Sequence, residues 1–227
     1  MADIGTARES ERQAMVEDQL RARGIRNRLV LEAMAKVPRH EFVPIDQAAA
    51  AYEDRALPIG EWETISQPYI VALMTEAAEV RPGDRVLEVG TGFGYQAALL
   101  VALGAEVTTI ERNASLAERA RQNLGRTGYQ GRVEVITGDG TDGYAAAAPY
   151  DAILVTAGAP RVPQALVDQL ADGGRLVIPI GSREMQQLHL LVKHGAELSD
   201  TVLEACQFVP LVGKQGWPQA PWPRFFG

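Results

Sequence analysis

One cysteine, three histidines and an aromatic share of 6% leave little room for several kinds of chemistry in this 227-residue chain. A lone Cys206 can form no disulfide within the chain, which points to a reducing compartment and a cytoplasmic location. Its strand-like neighbours, Leu203 to Val209, predict a buried structural thiol rather than a nucleophile. His40, His189 and His194 lack metal-ligand spacing, so no metal site is expected. Basic residues are short as well. The 22 Lys and Arg stand against 29 Asp and Glu, a net charge of −7, which disfavours nucleic acid as a partner because phosphate binding needs a basic footprint. No apolar run approaches the ~20 residues that span a bilayer. The opening MADIGTARESERQ lacks the apolar centre of a signal peptide, so no membrane association is expected.

What is there suits a globular protein: 46% hydrophobic and 22% charged residues, enough for one large domain or one domain with short extensions. Residues 1 to about 10 read as a disordered lead-in. Apolar spacing predicts a helix over Glu11–Arg23 stopped by Gly24, and a second one capped by Asn27 and ended by Pro38. The stretch 51–68, AYEDRALPIGEWETISQP, reads as irregular, and Pro68 opens a helix running to about Glu79.

From Arg85 the rhythm changes. Strands RVLEV, EVTTIE, VEVIT, DAILVT and RLVIPI alternate with helices YQAALLVAL, SLAERARQNL and VPQALVDQL. That alternation predicts right-handed crossovers and a mainly parallel, doubly wound sheet, with both faces of its apolar strands covered. The last two strands, LHLLVK and TVLEACQFV, have no helix between them, so the sheet should carry an antiparallel portion near the C-terminus. The tail KQGWPQAPWPRFFG reads as irregular, with Trp217 and Trp222 on a loosely packed terminus. The expected division is 1–80 as a helical extension with an active-site segment, 81–212 as a cofactor-binding core, and 213–227 as tail.

The loop after the first core strand reads V-L-E-V-G-T-G-F-G-Y-Q. In an open α/β sheet, ligands bind beyond the carboxyl ends of the strands, where glycines let the backbone come close. The dinucleotide fingerprint is G-x-G-x-x-G, whereas Gly90, Gly92 and Gly94 are spaced G-x-G-x-G. Glu88 before the loop is a poor neighbour for pyrophosphate and a good one for a sulfonium amino acid. Glu111, at the end of the next strand, can accept both hydrogen bonds of a ribose diol. The loop therefore reads as a site for S-adenosylmethionine. Gly138-Asp139-Gly140 after the third strand is either a plain turn or a contact to the edge of an adenine ring.

These motifs together resemble one family, protein-L-isoaspartate O-methyltransferase, from the helix MVEDQL to FVPLVG. The most specific match is T-I-S-Q-P-Y at Thr64 to Tyr69 ahead of the glycine loop, supported by VPRHEFVP, PYDAILVTA and GGRLVIPIG. The resemblance implies an α/β fold of the Rossmann-like S-adenosylmethionine-dependent methyltransferase type. It implies methyl transfer to the free α-carboxylate of L-isoaspartyl residues, and more weakly to D-aspartyl residues, in damaged proteins. Ser66 matches the active-site serine. Thr64, Ile65, Glu88, Gly90, Thr91, Gly92, Gly94, Glu111, Asp139 and Gly140 fall at cofactor-binding positions. Ile65, Pro68, Val209, Pro210 and Leu211 fall where the substrate backbone is held. The implied partners are isoaspartyl proteins and peptides, met by a monomer. Phe93 departs from the family, where serine is frequent.

A carboxylate is ionised at neutral pH, so its methylation needs alignment and desolvation rather than a general base. Ser66 would orient that carboxylate. It lacks the context of a nucleophile, and it could equally cap the helix that follows. A related enzyme acting on a small molecule or one dedicated peptide, and a non-catalytic cofactor-binding module, are the competing readings.

Overall fold

The computed structural model describes residues 8–219. The chain begins with α1, Glu9–Ala14, which widens without interruption into one π-helical stretch, Met15–Arg21. Helix therefore starts within the expected lead-in, whose residues 1–7 lie outside the described residues. In α2, Arg28–Lys36, Asn27 caps as expected, its Oδ1 accepting from the N–H groups of Leu29 (3.0 Å) and Val30 (3.4 Å).

The stretch read as irregular contains a hairpin instead: β1, Leu57–Gly60, antiparallel to β2, Glu63–Ile65. Its turn uses positive φ at Glu61 (54°) and Trp62 (64°), residues that do not announce such a turn. Then comes α3, Pro68–Ala78, buried on most sides because it packs between the N-terminal helical stretch, α2 and the main sheet.

The main sheet holds β3 (Arg85–Val89), β4 (Glu106–Glu111), β5 (Val133–Thr137), β6 (Tyr150–Val155), β7 (Leu170–Gly181), β8 (Gln186–His194) and β9 (Glu197–Cys206). Their order is β5-β4-β3-β6-β7-β8-β9. The first five pair in parallel, and β7–β8 and β8–β9 pair antiparallel. The crossovers include α4 (Tyr95–Ala102), α5 (Ala114–Thr127) and the short α6 (Gln164–Asp168). The Gly173-Gly174 pair is absorbed into β7, where the register with β6 slips between Tyr150 and Ala152.

One apolar cluster joins Met15, Leu31, Met34 and Phe42 of the N-terminal segment to Leu99 and Val107 of the sheet layer. A second lies between the opposite sheet face and α6, around Leu87, Ile153 and Leu166. Strand order reverses between β3 and β6, which places the open crevice of the sheet at their carboxyl ends. Among the described residues no helix is long and apolar enough to cross a membrane.

Candidate active site

Three connected recesses surround that crevice. The outer cleft runs between the glycine loop, Glu111, Gly140 and the segment Val209–Val212. An inner cleft passes beneath it, lined by Ser66, Glu88, Thr91 and Phe93. A third groove lies between the start of α3 and the end of β9. Thr64 lines all three, and Ser66 lines both the inner cleft and the groove.

The glycine loop fits because its backbone lies where side chains cannot. A Cβ on Gly90, whose φ is 100°, would stand 2.4 Å from Oγ1 of Thr156. A Cβ on Gly140 would stand 2.4 Å from Cγ1 of Val89. Thr156 closes the loop by donating to the Gly90 carbonyl at 2.7 Å. It lies just past β6 at the switch point, a place that the strand-end rule could have flagged although no motif did.

Glu111 is buried at the end of β4, next to the loop. Its Oε2 accepts from the N–H of Gly92 at 2.9 Å and its Oε1 from the N–H of Asn113 at 2.9 Å. Burial raises its pKa, while the two backbone donors pull the other way. Glu88 is fully buried one strand over. Thr109 donates to its Oε2 at 2.6 Å, and Thr91 bonds Thr109 at 2.6 Å. Burial pushes Glu88 up to about 8, Thr109 pulling against it, and its Oε1 has no partner. An orphaned acidic oxygen on the inner cleft is a feature that the ammonium and sulfonium of a sulfonium amino acid would satisfy and a pyrophosphate would not.

Asp139 faces a side recess beside Arg112 and Val212. Its Oδ1 accepts from the N–H (2.9 Å) and hydroxyl (2.7 Å) of Thr141, and its Oδ2 from the N–H of Lys214 (2.8 Å). Burial favours its neutral form, but these bonds outweigh it and hold the pKa below the usual range. At this turn Gly140 forms the wall of the main cleft.

Ser66 follows β2 directly, and helix α3 is capped without it. The N-cap is Gln67, which makes no side-chain cap bond, and the N–H of Tyr69 donates to Oδ1 of Asp54 at 3.2 Å. The hydroxyl of Ser66 makes no hydrogen bond among the described residues. Its carbonyl accepts from Arg39 at 2.8 Å; that guanidinium is fully buried, also holds the carbonyl of Ala51 at 2.8 Å, and lies 5.0 Å from the Tyr95 ring centre. Arg39 belongs to the VPRHEFVP segment, yet nothing local in the sequence tells which backbone it holds.

Gly94 caps α4 behind the loop, and the Phe93 carbonyl accepts from Asn123 at 3.0 Å. Ile65 is buried on the inner cleft, and Pro68 is buried at the first position of α3, lining none of the three recesses. Val209, Pro210 and Leu211 line the outer cleft rather than the groove beside Ser66, whose far wall is Cys206, Gln207 and Phe208. Cys206 is half-buried, not fully buried as expected, and burial pushes its thiol up to about 11.

The tail is pinned, contrary to the expectation of a loose terminus. Leu211 N–H donates to Gly158 at 2.8 Å, Trp217 N–H to Leu211 at 2.7 Å, and the Trp217 indole to Gly158 at 3.0 Å. Trp222 lies outside the described residues. His40 bonds the Tyr52 hydroxyl at 2.6 Å, and His189 bonds Asp200 at 2.8 Å.

Comparison with known proteins agrees with this geometry. Residues 10–216 match the family model described as protein-L-isoaspartate(D-aspartate) O-methyltransferase. The chain is 58% identical over 207 residues to the protein-L-isoaspartate O-methyltransferase of Methanoculleus marisnigri, covering 91% of this chain and 94% of that one. It is 55% identical over 210 residues to that of Koribacter versatilis, covering 92% and 94%. A solved protein-L-isoaspartate O-methyltransferase superposes over 90% of this chain and 67% of its own, with TM-score 0.81 and 32% identity. A Plasmodium falciparum protein carrying the same family name, in complex with S-adenosyl-L-homocysteine, superposes over 88% and 98%, with TM-score 0.78 and 26% identity. Matched over residues 10–216 by the family model and at 55–58% identity by relatives of nearly its own length, this chain belongs to the protein-L-isoaspartate(D-aspartate) O-methyltransferase family.

Proposed function

We propose that the protein transfers a methyl group from S-adenosylmethionine to the free α-carboxylate of L-isoaspartyl residues, and more weakly to D-aspartyl residues, in damaged proteins. One observation carries this reading: Thr64 and Ser66 line both the inner cleft and the groove between α3 and β9, so a group bound in each would meet at this hairpin. When bound, the cofactor supplies an already activated methyl group on a sulfonium.

The chain's own residues do the rest. Gly90, Thr91, Gly92 and Gly94 bring the backbone to the cofactor, Glu111 accepts from its ribose, and Glu88 faces its positively charged end. Gly140 closes the cleft towards the adenine, where Asp139 keeps one lone-pair position for an exocyclic amine. Thr64 and Ile65 separate cofactor from substrate. The carboxylate nucleophile is ionised at neutral pH, so no residue need remove a proton. Ser66 orients it with a hydroxyl that has no competing partner, and Arg39 fixes the backbone from which that hydroxyl projects. Ile65 and Val71, with Met74 behind them, keep water from the reacting atoms. Pro68, Val209, Pro210 and Leu211 are read as shaping the substrate side, the last three by closing the outer cleft next to it.

We read residues 1–80, 81–212 and 213–227 as extension, core and tail of one cytoplasmic, monomeric enzyme. The test is methyl incorporation into an isoaspartyl peptide beside its normal aspartyl twin. Labelling of the isoaspartyl peptide alone is expected. Equal labelling of both, or labelling of a small metabolite only, would refute the assignment.

A further inference from the structure

The outer cleft adjoins the side recess. The first holds Glu111 and Gly140, the second Gly138 and Asp139. Among the described residues, Arg112 and Val212 alone line both. A ligand that reaches from Glu111 to Asp139 therefore passes these two side chains. Val212 is the fixed wall, because its neighbours are tied down. Leu211 N–H donates to the Gly158 carbonyl at 2.8 Å, and Gly213 N–H to the Trp217 carbonyl at 3.1 Å. Val212 also supplies the one aliphatic side chain on the side recess among the described residues. Arg112 is the opposite case. It is exposed, and its backbone is set between the end of β4 and Asn113, the N-cap of α5. Yet no hydrogen bond or ion pair reaches its guanidinium among the described residues. Glu111 shares the cleft but is engaged by the N–H groups of Gly92 and Asn113, and Glu63 lines it without pairing to Arg112. A guanidinium is planar, weakly hydrated and suited to lie flat against an aromatic ring.

We infer that the adenine of the methyl donor is held face-on between Arg112 and Val212, the guanidinium plane against one side of the base and the Val212 methyl groups against the other. The inference rests on the reading that this cleft holds S-adenosylmethionine. The nucleoside is then divided among three contacts. Glu111 takes the ribose, Asp139 takes the exocyclic amine, and Arg112 with Val212 take the two faces. Hydrogen bonds at the edges fix the direction of a base but leave its faces to water. Face contacts exclude that water and add dispersion and cation–π attraction. The pinned tail and the unpaired arginine thus have one task between them: the tail presents a rigid platform, and Arg112 folds down on the base from the other side.

Three compounds separate this role from a purely electrostatic one. S-adenosylmethionine, S-adenosylhomocysteine and 5′-methylthioadenosine share the adenine and ribose, and the last lacks the amino-acid end with its carboxylate. Titration calorimetry of the full chain reads the first two, and displacement of S-adenosylhomocysteine reads the third. Arg112→Ala should raise the Kd of all three by the same factor, about three- to tenfold for a stacked guanidinium. Arg112→Lys keeps the charge and gives up the plane, so it should stay at least about twofold weaker than the parent for each compound. Val212→Ala should weaken all three together as well. The ligand-free melting point of the Arg112 variants should hardly move, because that side chain bonds to nothing in the described protein. Unchanged Kd values in folded Arg112→Ala overturn the inference. So does a loss confined to the two compounds that carry a carboxylate, or full recovery of affinity in Arg112→Lys, since either makes Arg112 an anion contact. Failure of the parent to bind S-adenosylmethionine at all would instead overturn the cofactor reading.

Discussion

Replacing Glu111 separates a cofactor contact from a merely structural carboxylate. A carboxylate offers four lone-pair positions, and two of those on Glu111 are taken by the N–H groups of Gly92 and Asn113, each at 2.9 Å. One position per oxygen remains, the number that a ribose diol needs. Glu111→Ala removes both. Hydrogen bonds to charged groups contribute ~1.5–3 kcal/mol, so affinity should fall roughly tenfold to 150-fold. Glu111→Gln keeps the shape but turns one acceptor into a donor, which then confronts the N–H of Gly92 or Asn113. That mismatch costs ~1–3 kcal/mol, partly offset because the variant no longer buries a charge. Calorimetry with S-adenosylmethionine and S-adenosylhomocysteine, alongside thermal melts, reads both effects. The ribose is common to the two compounds, so both should weaken by the same factor. Unchanged affinity in a folded Glu111→Ala protein, or a loss confined to one compound, would refute the role of Glu111.

Ser66→Ala should lower turnover at least tenfold while the melting point hardly moves, because Asp54 and not Ser66 serves the first turn of α3; an equally active variant would remove Ser66 from the chemistry. Burial raises Glu88 above its unfolded value, to about 8, so its neutral form is the one that folding favours. Stability from this group is full below about pH 4.5 and is lost as pH rises towards 8. Glu88→Gln should therefore melt with a visibly flatter pH profile than the parent over that window, and parallel profiles would contradict the burial argument.

The core strands were legible in the sequence because their signals are local. Apolar runs such as Ile153–Val155 and the glycines at strand ends announce buried parallel strands without help from distant residues. The hairpin β1–β2 was not legible. Its strands are four and three residues long, one contains Pro58, and its turn places Glu61 and Trp62 at positive φ where Asn-Gly would be the usual sign. The extra length of β7 was hidden for a similar reason, since Gly173-Gly174 signals a turn equally well. At the site, the positions of the glycine loop and Glu111 at neighbouring strand ends could be read from spacing. The partners of Ser66 and Asp139 could not, because Arg39 and Lys214 are far away in the chain and only the fold brings them near. The pinned tail is another such case: Trp217 reads as a stray aromatic until Gly158 is seen beneath its indole.

The outer cleft has one wall at Thr64 and another at Leu211 and Val212. These residues are made about 150 residues apart, and at a synthesis rate of roughly 5–20 residues per second the second wall follows the first by about 7 to 30 s. The wall itself is held by backbone bonds to Gly158 and by Lys214 on Asp139, which need the tail outside the ribosome. A nascent chain can thus bury α3 and the parallel strands well before it can close around a cofactor. A truncation after Phe208 should therefore leave the sheet with an open crevice and weaken S-adenosylmethionine binding.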